Sequence, residues 1–81
     1  MIHIRFFASL RERLGSASMN FEYSGERTVS QLLSELYEKS DTLLMLKEQD
    51  VLVAVNQTLC GHEAKINDGD EIALFPPVTG G

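Results

Sequence analysis

The side chains able to do chemistry in this sequence are few and far apart. His3 and His62 stand alone, Cys60 is the only cysteine, and no serine sits in a nucleophile elbow or beside a base. A lone His or Cys is more often structural than reactive. Asp68-Gly69-Asp70-Glu71 resembles a fragment of a calcium loop, but that loop needs oxygen ligands alternating over about a dozen residues and a closing Glu, so a solvated turn is expected. No metal site is expected anywhere in the chain.

The stretch that stands apart is Phe75-Pro76-Pro77-Val78-Thr79-Gly80-Gly81. Pro76 and Pro77 cannot donate to a sheet ladder and fix φ, so they end a strand and send the chain away in a stiff, extended direction. Six residues at about 3.3 Å each let residue 81 reach roughly 20 Å from the sheet. Gly80 and Gly81 carry no Cβ, so this backbone can enter a slot too narrow for other residues. A frayed terminus is the bland alternative, but two prolines followed by Val78 and Thr79 make a poor random tail and a good rigid lead. What the tail offers is the α-carboxylate of Gly81. With a pKa near 3.5 it is an anion at neutral pH and a poor electrophile, so a partner must activate it. An acyl adenylate made with ATP supplies the leaving group. A sulfur nucleophile can displace AMP to give a thiocarboxylate, whose soft sulfur can be delivered into another protein's pocket.

The elements that must hold this tail can be read from periodicity. Ile2, Ile4 and Phe6 alternate with His3, Arg5 and Phe7, the pattern of a strand with one face on a core. Ser9 with Glu12 reads as a capping box opening a helix of little more than one turn, which exits at Gly15. Ala17, Met19, Phe21 and Tyr23 mark a second strand that ends at Ser24-Gly25 and pairs with the first. Thr28 with Gln31 is another capping box, and apolar positions 29, 32, 33, 36 and 37 form one face of the main helix, 28–39. Asp41 caps a short helix to Glu48 with Leu43, Leu44 and Leu46 as its apolar side. Val51 to Val55 reads as a buried strand, Asn56-Gln57-Thr58 as its turn and Leu59-Cys60 as a short partner. A loop is expected over 61–70, and Glu71 to Phe75 is the last strand. The result is α+β: a mixed sheet of about five strands with one main helix on one face, residues 1–75 forming the domain and 76–81 the tail.

Parity adds a surface. If Ile2, Ile4, Phe6, Ile72 and Leu74 face the helix, Phe7 and Phe75 lie on the opposite face, where Leu59 can join them. An apolar patch beside the tail suits partner docking, with Phe75 as anchor and Arg11 as a polar contact. Ordering six tail residues costs on the order of 6 to 12 kcal/mol if they are wholly flexible, so docking of the globular face must offset it.

Composition excludes several classes. One cysteine rules out an internal disulfide, an iron–sulfur cluster of Cys ligands and a Cys-rich zinc site. A net charge of −5, with Lys and Arg scattered, argues against nucleic acid and anionic membranes as partners. The start of the chain alternates instead of showing an export signal, so a cytoplasmic location is expected.

Phe6-Phe7-Ala8 with Arg11-Glu12, Val53-Ala54-Val55-Asn56-Gln57-Thr58-Leu59, and Asp68-Gly69-Asp70-Glu71 running to Phe75-Pro76-Pro77-Val78-Thr79-Gly80-Gly81 together resemble the small subunits of molybdopterin synthase, end to end. That resemblance implies a ubiquitin-like β-grasp fold with its first and last strands parallel neighbours. It further implies that an E1-like enzyme adenylates Gly81, which becomes a thiocarboxylate. Pro76, Pro77, Val78, Thr79 and Gly80 then enter the large synthase subunit, where sulfur passes to cyclic pyranopterin monophosphate. A dithiolene holds two sulfurs, so two carriers are used per molybdopterin, and the family's synthase is a heterotetramer. No cofactor is bound permanently, ATP being used by the activating enzyme. A carrier for thiamine or tRNA sulfur, a protein conjugated to lysines and a non-covalent β-grasp binding module are the rival readings.

Overall fold

The computed structural model describes residues 1–22, 25–39, 41–48 and 50–77. The alternation at the start becomes strand β1 (Ile2–Phe6), with Ile2, Ile4 and Phe6 buried and His3 and Arg5 exposed. Helix α1 (Ser9–Leu14) follows and exits, as expected, through a left-handed Gly15 whose N–H donates to the Arg11 carbonyl. Its entry differs from expectation. Ser9 is the first helical residue, and the cap position is held by Ala8, at φ 53° and ψ −133°, with no side-chain capping bond. The chain turns so abruptly after β1 that the helix begins one residue before a Ser9 hydroxyl could cap it.

Strand β2 (Ser18–Phe21) returns antiparallel to β1, Ile4 opposite Met19. Tyr23 and Ser24, expected at its end, lie outside the described residues. The main helix, α2 (Val29–Lys39), starts with the anticipated reciprocal cap: Gln31 N–H donates to Thr28 Oγ1 at 3.3 Å and Thr28 N–H to Gln31 Oε1 at 2.9 Å. Its buried stripe is Val29, Leu32, Leu33 and Leu36, with Tyr37 at the margin. The short helix splits into α3 (Asp41–Leu44) and a 3₁₀ turn (Met45–Glu48). Leu46 is fully buried and Leu43 partly so, but Leu44 points out, 43% exposed.

Strands β4 (Leu52–Val55) and β5 (Thr58–Cys60) form a hairpin. The expected loop over 61–70 contains a strand, β6 (Lys65–Ile66), paired antiparallel with β3 (Arg27–Thr28) just before α2. Both are two residues long, too short to show any alternation, and Ile66 drives its fully buried side chain into the core. Strand β7 (Glu71–Phe75) completes a five-stranded sheet in the order β2-β1-β7-β4-β5, with β1 and β7 parallel. The core lies between this sheet and α2 and holds no buried polar or charged residue among those described. No described helix is long and apolar enough to cross a membrane.

Candidate functional site

The face of the sheet turned away from α2 carries the candidate site. At its centre the register sets Ala54 beside Ala73, so the middle of the face has no tall side chains. Around that floor rise larger groups: Leu52 lies opposite Phe75, and Leu59 opposite Ala54. The result is an open groove of about 640 Å³, mostly apolar, whose lining also includes Arg5, Phe7, Ala8, Gln57, Glu71 and Pro76.

Phe7 lies just beyond β1, yet its N–H donates to the Leu74 carbonyl at 3.1 Å and keeps the chain in line with β7. Its ring therefore lands on Phe75, with centroids 4.7 Å apart and planes 15° from parallel. An offset pair of this kind contributes about 0.5 to 1.5 kcal/mol beyond the area it buries. The Arg5 guanidinium sits 5.6 Å from the Phe7 centroid and 3.9 Å from the Glu71 carboxylate, so one cation is shared between a ring face and an anion. Leu59 is 70% exposed and Leu52 41%, large apolar walls left open to solvent.

Phe7, Phe75 and Leu59 thus share one surface, while Arg11, exposed on α1, does not line it. Pro76 does, so the chain leaves the sheet at the groove's rim and Pro77 follows. Val78, Thr79, Gly80 and Gly81 lie outside the described residues. The reading from sequence missed Leu52, Ala54 and Ala73. Parity already set Ala73 on the outer face, but its small side chain drew no notice, and the unbroken apolar run 51–55 concealed that Leu52 and Ala54 point outward.

The isolated reactive residues are not brought together. His3 Nδ1 bonds Asn20 Oδ1 at 2.8 Å, His62 Nε2 bonds the Val51 carbonyl at 3.1 Å, and Cys60, half-buried, rests its Sγ 3.8 Å from the Val53 carbonyl. The Asp70 carboxylate is taken up by two turns, accepting from Asn67 N–H at 2.8 Å within its own and from Asn56 Nδ2 at 3.0 Å in the turn between β4 and β5. Among the described residues no cluster of His, Cys, Asp and Glu could hold a metal ion. What this arrangement can do is bind: a preformed apolar groove with a chain end leaving from its rim.

Comparison with known proteins places this geometry. The ThiS family model matches residues 4–81. The chain is 42% identical over 82 aligned positions to the molybdopterin synthase sulfur carrier subunit of Haemophilus influenzae, covering 100% of both chains. Among solved structures it resembles SAMP1, a small archaeal modifier protein of Haloferax volcanii, with a TM-score of 0.80 and 30% identity over 99% of this chain and 98% of that one. It also resembles a chain in the protein–protein complex of subunits 1 and 2 of molybdopterin-converting factor from Helicobacter pylori, with a TM-score of 0.64 and 28% identity over 99% of this chain and 97% of that one.

Proposed function

The chain belongs to the ThiS family, and on that premise we propose that it is the sulfur carrier subunit of a molybdopterin synthase. The observation that carries the reading is the match to a curated sulfur carrier subunit over the whole of both chains. The groove supports it, because Pro76 launches the chain from the rim of an apolar surface that a partner can cover.

In this reading the chain has no independent catalytic site; its working group is the Gly81 carboxylate. An E1-like enzyme joins that carboxylate to the α-phosphate of ATP and releases pyrophosphate. A sulfur donor then replaces AMP, leaving the thiocarboxylate. The large synthase subunit docks on the groove formed by Phe7, Phe75 and Leu59, with Arg11 available only as a contact outside it. The lead from Pro76 through Gly80 carries the sulfur to the pterin in the partner's pocket. Once the sulfur has bonded the pterin, water cleaves the bond between it and the Gly81 acyl carbon and restores the carboxylate. ATP is consumed by the activating enzyme, no cofactor stays bound, and the work is done in the cytoplasm.

The test is the intact mass of the protein after incubation with ATP, its activating enzyme and a sulfur donor, beside a variant lacking Gly81. The expected result is a gain equal to replacing one oxygen by sulfur in the full chain and none in the variant. An unchanged mass with a demonstrably active enzyme overturns the reading. The likeness to SAMP1 favours one second reading, attachment to other proteins, in which a lysine amine attacks the activated Gly81 carboxyl. Covalent adducts with other proteins, rather than the oxygen-to-sulfur gain, would then appear.

A further inference from the structure

The rim of the groove holds a residue that the molecule on its own does not use. Gln57 is the second residue of the turn joining β4 and β5, at φ 70° after φ 51° at Asn56. A two-residue hairpin turn of this hand favours Asn at its first position and Gly at its second, because only Gly enters the left-handed region without steric cost. Asn56 has a reason to be there: its carboxamide accepts Glu71 N–H and donates to Asp70 Oδ1, both at 3.0 Å, tying the turn to the start of β7. Gln57 has no counterpart. Its side chain is exposed, lines the groove and makes no hydrogen bond among the described residues.

We propose that Gln57 is a recognition residue for the docked large subunit, its side-chain amide pairing with a backbone peptide group of that partner. The inference rests on the reading of the groove as the docking face. A partner segment that seats an apolar side chain over Ala54 and Ala73 brings its own backbone to the rim, where peptide groups need hydrogen bonds once water is excluded. An uncharged amide, donor and acceptor side by side, matches an uncharged peptide. The groove's two charged groups, Arg5 and Glu71, already face each other. The left-handed backbone fixes where the side chain departs from the turn, so the strain of a non-glycine residue there serves to aim the amide.

The experiment measures thermal unfolding and binding to the large synthase subunit by calorimetry for the wild type, Gln57→Gly and Phe75→Ala. Glycine relieves the strained φ, so Gln57→Gly should unfold at a higher temperature while binding on the order of tenfold more weakly. A purely structural Gln57 cannot move the two readouts in opposite directions. Unchanged affinity in Gln57→Gly beside weakened binding in Phe75→Ala overturns the proposal and leaves the docking reading intact. Absent binding by the wild type, or undiminished binding by Phe75→Ala, overturns the docking reading and this proposal with it.

Discussion

Ala8 holds φ 53° and ψ −133°, a conformation that glycine enters freely and alanine does not. It lies between Phe7, whose carbonyl accepts Leu10 N–H at 3.2 Å, and α1, whose Arg11 N–H donates to the Ala8 carbonyl at 3.1 Å. Bonds on both sides hold the strain in place. Replacing Ala8 by glycine removes a cost of order 1 to 3 kcal/mol and adds about 0.5 to 1 kcal/mol of unfolded-state entropy, so Ala8→Gly should stabilise by about 1 kcal/mol, read as a higher urea midpoint. Nothing in the sequence marks this position, because alanine is the residue least suggestive of a special backbone. Phe7 and Phe75 were visible in advance because alternation assigns each residue of a strand to a face, and the face of a large aromatic matters whichever way it points. Ala54 and Ala73 were not: the groove they floor is a shape, and a missing side chain leaves no mark in a pattern of apolar residues.

At the scale of elements, α2 was the most legible because two independent signals coincide there. The Thr28–Gln31 box marks its start and the spacing of Val29, Leu32, Leu33 and Leu36 marks its face. Thr28→Ala removes the acceptor of Gln31 N–H and should cost about 1 kcal/mol, checked as a lower urea midpoint with an unchanged slope. The equivalent expectation at Ser9 failed although similar residue types recur, since the helix starts one residue early and its cap position falls on Ala8, whose side chain has no oxygen to accept a bond. β3 and β6 were illegible for a different reason. Their register, Arg27 opposite Ile66 and Thr28 opposite Lys65, joins segments far apart in the chain, and no local pattern reports such a pairing.

For the molecule as a whole, the order of strands is a long-range property. Alternation identified β1 and β7 but could not make them neighbours; their parallel pairing came from resemblance to a family. The chain's start is also tied to the turn before β7: Gly69 N–H donates to the Met1 carbonyl at 3.0 Å, and the N-terminal ammonium pairs with Asp68. A hydrogen bond from that ammonium, then its charge, hold the Asp68 carboxyl below the ordinary carboxylate range. A lowered folded-state pKa stabilises above the unfolded value and ceases to do so as pH falls through the folded one. Wild type should therefore exceed Asp68→Asn in urea midpoint at neutral pH, the gap narrowing as pH enters the ordinary titration range of aspartate and closing below it. The placement of β7 bears on how the protein is made. This strand fills the middle of the sheet between β1 and β4, yet among the described strands it comes last in chain order. Until residue 75 has emerged, β1 has only β2 beside it and the β4–β5 hairpin has no sheet to join. A nascent chain therefore cannot form this sheet from its early strands alone: the native order waits on β7, as in other topologies dominated by distant pairings.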